Sequence, residues 1–86
     1  MLVAIMMITA HQVRAARALL GWSQQELADR AIVSVNAVMR LERGAVDTRM
    51  STLSAVERAL ARGGVEFIPA DQKGEGVRLA LPSTGA

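Results

Sequence analysis

The sequence predicts a small, mainly α-helical domain of four helices that is followed by a C-terminal β-hairpin. Three observations lead to this fold class. Residues 22–44 contain two short helical patterns with separate N-cap signals and a tight break between them. Apolar residues recur at helical spacing on both sides of that stretch. After Gly63-Gly64 the helical period is lost, and two short β-type runs flank a polar turn.

Length and composition favour one small, basic domain. The chain has 86 residues, no cysteine and one histidine, His11, so neither a disulfide nor a cysteine- or histidine-based metal site is expected. Oligomerisation then remains the usual way to stabilise so small a core. The net charge of +2 and the pI near 10.5 fit attraction to nucleic acid. Nine of the ten basic residues are arginine, which suits phosphate and guanine edges but is equally expected of a GC-rich genome.

The first helix is predicted to begin after Thr9, a good N-cap residue, and to end at Gly21. Its inward face carries, at helical spacing, Val13, Ala16, Arg17 and Leu20. An arginine on that face needs a partner, because burying an unpaired charge is costly. Arg14 is expected to face solvent or phosphate. Trp22 is expected to fill the corner between the first and second helices.

Residues 22–44 combine two helices and a tight turn. Ser23 is an N-cap candidate, and Glu26 completes the S-x-x-E pattern of a capping box. Ser34 is the N-cap candidate of the next helix, and Gly44 ends that helix as its C′ residue. Residues 31–33 are too few to let the helices run antiparallel, so the helices must cross over one small core. The core positions are Leu27, Ala28, Val33, Val38 and Leu41. This arrangement is a helix-turn-helix.

The ordered turn, cap and core residues resemble the lambda-repressor-like (Cro/CI, XRE) helix-turn-helix family. The resemblance covers residues 9–63 and is carried by Trp22-Ser23-Gln24, Leu27-Ala28, Val33-Ser34, Val38 and Leu41-Glu42-x-Gly44. It implies a prokaryotic, cytoplasmic, nucleoid-associated protein that binds double-stranded DNA as a homodimer on a palindromic operator. The expected function is sequence-specific transcriptional regulation, above all repression. The recognition helix is expected over residues 34–43, in the major groove.

The resemblance also implies roles for individual residues. The residues expected to contact bases are Val35, Asn36, Ala37, Met39 and Arg40. Those expected to contact phosphates are Gln24, Ser34, Arg43 and Arg49. Asn36 suits adenine and Arg40 suits guanine, whereas apolar side chains suit thymine methyl groups. Arg17 is expected to form a structural ion pair with Glu42, which fixes the first helix against the recognition helix. A solvated surface role is the alternative for Asn36, Arg43 and Arg49.

The turn departs from the family pattern at Ile32. The family has glycine here because one residue of the turn adopts a positive φ, and a β-branched residue in that conformation costs about 1–2 kcal/mol. Either the turn is reshaped or it is strained. Ile32, Val35 and Met39 motivate an alternative function: a protein-interaction module, antitoxin-like or anti-activator-like, that keeps the fold without reading an operator. A toxin or another protein is then a second candidate partner.

Neither catalysis nor membrane insertion is expected. The sequence has no paired carboxylates, nucleophile–base set, glycine-rich phosphate loop or metal cluster, so no catalytic residue, metal or cofactor is assigned. Residues 1–8 are apolar but too few to span a bilayer, and they lack the features of a secretory signal. They are interpreted either as an extra strand or as a disordered extension.

A fourth helix is predicted over residues 50–62, with Asp47, Thr48 or Ser51 as its cap. Its inward residues are Leu53, Val56 and Leu60. Strand candidates at residues 65–68 and 77–81 form a hairpin within residues 64–82, before a disordered end at residues 83–86. Because an isolated hairpin is marginally stable, the tail is expected to help form a homodimer. The N-terminal apolar run is one candidate for joining its sheet.

Overall fold

The computed structural model describes residues 8–80, in which four helices precede a two-stranded antiparallel sheet. The elements are α1 (Ala10–Leu20), α2 (Gln24–Ala31), α3 (Val35–Glu42), α4 (Met50–Arg62), β1 (Val65–Ile68) and β2 (Gly76–Leu79). The predicted fold class is therefore confirmed. The interpretations of residues 1–7 and of the end at residues 83–86 fall outside the described residues.

The first three helices begin at the predicted N-cap residues. At α1 the Thr9 hydroxyl accepts from the Gln12 N–H (3.1 Å), and the Gln12 side chain accepts from the Thr9 N–H (3.0 Å), so a complete capping box forms. Ser23 and Ser34 each accept from the backbone N–H three residues later, at 3.0 Å. The Glu26 carboxylate bonds Arg30 (3.2 Å) instead of completing a second capping box.

The predicted cap of α4 is wrong. Its N-cap residue is Arg49, and no side chain makes a cap hydrogen bond there. The three expected residues are used elsewhere: Asp47 bonds Arg40, the Thr48 hydroxyl donates to the Ala45 carbonyl (3.1 Å), and Ser51 lies inside the helix.

The core is a single cluster to which all four helices and β1 contribute. Its buried apolar residues are Ile8, Val13, Ala16, Leu27, Ala28, Ala31, Val38, Leu41, Val56, Ala59, Leu60, Val65 and Phe67. Val33 and Leu53 are only partly buried and pack against this cluster. Trp22 does the same, and the Arg30 guanidinium lies 4.3 Å from the centroid of its ring. The crossed helices therefore share one core, as predicted.

The hairpin packs against α1 through a buried glutamine. Gln12, which was not singled out in the sequence, donates from Nε2 to the carbonyls of Ile68 (3.1 Å) and Gly76 (3.0 Å). These bonds join α1 to the hairpin where β1 ends and β2 begins. In the antiparallel register Val65 lies opposite Leu79 and Phe67 opposite Val77. β2 begins one residue earlier than predicted and is assigned only to Leu79.

The turn between α2 and α3 adopts the left-handed conformation, which is costly for the β-branched residue at this position. Ile32 has φ 58° and ψ 50° and is the only non-glycine residue with a positive φ within residues 8–80. Its side chain is 89% exposed, so little packing offsets the backbone conformation. Of the two alternatives, the reshaped turn is therefore excluded.

Candidate nucleic-acid interface

The outward face of α3 carries the side chains that the sequence assigned to base contacts. Asn36, Met39 and Arg40 are exposed and Ala37 is half-buried, whereas the core side of the helix carries Val38 and Leu41. Val35 is also half-buried and packs against the core, so its side chain is less exposed than the sequence predicted, and its contact with a base stays a prediction. As the first residue of α3 it lies beside the turn, where Val33 also packs. The exposed side chains on the outer face of α3 are thus chiefly one amide, one thioether and one guanidinium.

Arg40 has an acidic partner that the sequence did not suggest. Its Nη2 donates to both carboxylate oxygens of Asp47, which lies in the loop after α3. The two side chains remain 48% and 66% exposed, so the pair sits on the surface. They are seven positions apart in the sequence, and the path of the loop brings them together. No spacing rule for helices would have revealed this contact.

An open cleft of about 240 Å³ lies beside α3 and brings several predicted site residues together. Its lining residues are Ser34, Asn36, Ala37, Arg40, Asp47, Thr48, Arg49 and Thr52. Candidate base contacts therefore border a candidate phosphate contact, Arg49. Arg43 is exposed at the C-cap of α3 and lies outside this lining.

Gln24 is the first residue of α2 and is half-buried. Its Nε2 donates to Glu42 Oε1 at 3.0 Å. The side chain expected to contact phosphate is thus partly used inside the domain. The backbone at the start of α2 still presents helix N–H groups, which attract anions.

Glu42 anchors the C-terminal end of α3 to the rest of the domain. Arg17 donates from Nε to Oε2 (2.8 Å) and from Nη2 to Oε1 (3.0 Å), which is the predicted pair in bidentate form. The side chain of Glu42 is only 4% exposed and that of Arg17 is 24% exposed. Arg14 donates to the Glu42 backbone carbonyl, so it caps α3 instead of facing only solvent or phosphate. Three side chains from α1 and α2 therefore hold one residue of α3.

The ion pair keeps Arg17 charged. Hydrogen bonding to Glu42 raises the pKa of Arg17 above its ordinary value, and the Glu42 charge adds to this while burial opposes it. Because the folded-state pKa is raised, the stabilisation is present below the ordinary pKa and is lost only as the pH rises through the arginine range. The charge of Arg17 in this pair therefore does not change near neutral pH.

Other kinds of site were sought across the described part of the chain. Within residues 8–80 no three acidic, histidine or cysteine side chains come close enough to hold a metal ion. Over the same residues no helix has the length and apolarity needed to cross a membrane. Every buried side-chain nitrogen or oxygen described there has a hydrogen-bond partner.

Two crossed helices joined by a tight turn, with the polar outer face of the second helix exposed, define a DNA-binding helix-turn-helix domain. A helix-turn-helix family model matches residues 13–67, which include α2, α3 and α4. The chain belongs to this helix-turn-helix family, of the Cro/CI (XRE) type. No significant similarity to a curated protein was found. Family membership implies DNA binding, points to transcriptional regulation and indicates no catalytic family.

Proposed function

We propose that the protein is a homodimeric, sequence-specific DNA-binding repressor that acts in the cytoplasm on a palindromic operator, with α3 in the major groove. One observation carries this proposal: Asn36 and Arg40 are both exposed on α3 and line the same cleft. Residues four apart on a helix lie about 5–6 Å from each other on one face. An amide suited to adenine and a guanidinium suited to guanine therefore face the same side.

Basic and hydroxyl groups around this face support a fixed docking orientation. Arg49 lines the cleft, Ser34 caps α3 and Arg43 is exposed at its other end. In the proposed complex, these groups and the N-terminal end of α2 at Gln24 contact phosphates on either side of the groove. Such contacts set the register without reading sequence, and each makes the affinity fall with added salt.

The outer edge of β2 supports a dimer formed through the hairpin. The Ala80 N–H donates to the Gly64 carbonyl (2.6 Å), and in this register the hydrogen-bonded pairs alternate along the strands. The backbone groups of Val77 and Leu79 therefore point to the outer edge of β2. Within residues 8–80 no third strand pairs with this edge. Such an edge is a template for a further strand, and we assign the same edge of a second copy to it. The dimer would place two recognition helices about 34 Å apart.

DNA binding is tested in two steps. Selection from a pool of random duplexes yields the preferred site, and fluorescence anisotropy then compares that site with a shuffled duplex at low and near-physiological salt. We expect a preference of about 10³ or more that persists with salt. Asn36→Ala and Arg40→Ala should each reduce it about 5- to 150-fold, the equivalent of 1–3 kcal/mol.

A charge-matched control separates base reading from general attraction. Arg58 is exposed on α4 and does not line the cleft, so Arg58→Ala should leave the preference unchanged. If no motif is enriched, or if binding to both duplexes is equal and is abolished by salt, sequence-specific reading is refuted.

The oligomeric state is measured independently, by size-exclusion chromatography with light scattering. A dimer is expected at micromolar concentration. Leu79→Pro should weaken it, because proline removes one N–H from the outer edge of β2. A wild-type protein that is only monomeric at that concentration would contradict the dimer.

A protein-interaction module is the second candidate function. Apolar side chains favour it, since Ile32 and Met39 are exposed on the helix-turn-helix and Val46 and Met50 are exposed just after it. An antitoxin-like or anti-activator-like protein would use this surface to bind a protein, such as a toxin. A purified protein that selects no DNA motif but binds one protein partner tightly would establish this alternative.

A further inference from the structure

We propose that Asp47 is a positioning residue for DNA recognition, because its carboxylate holds Arg40 in the orientation that reads guanine. This inference rests on the proposed function and assigns a role to a residue outside the recognition helix. Both carboxylate oxygens of Asp47 accept from the same nitrogen of Arg40, Nη2.

The contact leaves Arg40 able to bind a base. A guanidinium has five N–H groups, and those on Nε and Nη1 make no hydrogen bond to any residue within 8–80. Both edges of a guanidinium that present two parallel donors include Nη2, so with Nη2 held by Asp47 the free donor towards a base is Nη1, which can bond one of the two guanine acceptors in the major groove, O6 or N7. The pair can thus persist while Arg40 donates from Nη1 to one acceptor of the guanine.

The loop holds Asp47 in place. Gly44, with φ 82°, ends α3, and the chain then turns back so that the Ala45 N–H donates to the Arg40 carbonyl (3.0 Å). The Thr48 hydroxyl donates to the Ala45 carbonyl (3.1 Å). The residues on both sides of Asp47 are therefore tied to each other and to the end of α3. The carboxylate is presented to Arg40 from a defined backbone position.

The charges explain why such a contact favours selectivity over affinity. A carboxylate at the protein–DNA interface is repelled by phosphates, and it also offsets the charge of Arg40, so it weakens binding to every sequence. A free arginine side chain has many rotamers and can contact phosphates regardless of sequence. A guanidinium held by Asp47 loses that freedom and keeps its contact with one base. Removing Asp47 should therefore change affinity and selectivity in opposite directions.

The test uses Asp47→Asn and Asp47→Ala in the full chain. For each variant, anisotropy measures binding to the selected site, to the same site with adenine in place of the guanine read by Arg40, and to the same site with 7-deazaguanine, which lacks N7. We expect affinity for a shuffled duplex to rise several-fold in both variants. The preference for guanine over adenine should fall about 10-fold in Asp47→Ala and less in Asp47→Asn, which keeps one acceptor oxygen.

Asp71→Asn is the matched control, since Asp71 is an exposed carboxylate in the hairpin turn and does not line the cleft. It should not change the guanine preference. The inference is overturned, with the proposed function intact, if Arg40→Ala abolishes the guanine preference while both Asp47 variants retain it. If the wild-type protein selects no motif, the proposed function and this inference fail together.

Discussion

Replacing Ile32 should stabilise this protein, although the substitution removes a large apolar side chain. The residue is held at φ 58° and ψ 50° in the turn between α2 and α3. An L-residue in this left-handed conformation costs about 1–2 kcal/mol relative to its preferred regions. Glycine adopts the same conformation without the penalty. Ile32→Gly therefore removes a local strain that the native chain carries.

Two smaller effects oppose the gain. Ile32 is 89% exposed, so its removal exposes little buried apolar surface. Glycine also makes the unfolded chain more flexible, at a cost of about 0.5–1 kcal/mol. The net stabilisation is then about 0.5–1 kcal/mol. For a domain of this size that corresponds to a rise in Tm of about 2–8 °C, at roughly 4–8 °C per kcal/mol.

The assay is thermal unfolding followed by circular dichroism, with urea unfolding at a fixed protein concentration. Ile32→Asn is a second variant, because asparagine tolerates the left-handed region without the entropy cost of glycine. Val46→Gly is the control. Val46 is fully exposed in a loop and, unlike Ile32, does not have a positive φ. Val46→Gly should be neutral or slightly destabilising.

Unchanged or lower midpoints for both Ile32→Gly and Ile32→Asn would refute the strain argument. They would mean that the isoleucine side chain makes a stabilising contact that its exposure does not reveal. If the unfolding midpoint of Val46→Gly rose as much as that of Ile32→Gly, the cause would be a general effect of glycine in the loops.

Two further substitutions test the anchoring of the helices. Glu42→Gln should destabilise the fold by about 3 kcal/mol in urea unfolding, because the nearly buried carboxylate is the partner of Arg17. Removing one member of a buried ion pair costs about 3–5 kcal/mol. The partial exposure of Arg17 favours the lower end of that range. Gly63→Ala should cost about 1–3 kcal/mol and shift the tryptophan fluorescence, since a Cβ there would lie 2.7 Å from Cη2 of Trp22.

Each of these variants has a control within the same chain. Glu66 pairs with Arg78 at 3.0 Å on an exposed face of the hairpin, so Glu66→Gln should cost less than about 1 kcal/mol. At Gly76 the nearest atom to an added Cβ is 3.7 Å away, so Gly76→Ala should be tolerated. If Glu66→Gln lost as much stability as Glu42→Gln, burial of the charge would not explain the result for Glu42. If Gly76→Ala lost as much as Gly63→Ala, close packing would not explain the result for Gly63.

Local patterns predicted most of the fold. Thr9, Ser23 and Ser34 cap helices at the expected places, because an N-cap depends on a side chain and a backbone N–H only three residues apart. Gly21 and Gly44 have positive φ and follow the ends of α1 and α3, as glycine permits. The Arg17–Glu42 pair was predicted from the family resemblance and not from any spacing in the chain.

The unpredicted polar contacts concern side chains with more than one available partner. Asp47 was one candidate cap of α4 but contacts Arg40. Gln24, whose contact with phosphate stays a prediction, also bonds Glu42. Such choices depend on which groups the folded loops bring near, and a single sequence does not encode that directly. The partial burial of Val35 was not predicted, because a helix face does not specify how the preceding turn packs against it.

The bonds of α1 have a consequence for operator spacing. Gln12, near the N-terminus of α1, bonds the hairpin, and Arg17, further along the same helix, bonds Glu42 of α3. One helix therefore connects the hairpin to the proposed recognition helix. In a dimer joined through β2, sliding the paired strands by two residues would move the subunits by about 7 Å. Successive base pairs are about 3.4 Å apart, so that slip would correspond to roughly two base pairs. The number of base pairs between the two half-sites would then be a direct measure of how two hairpins align.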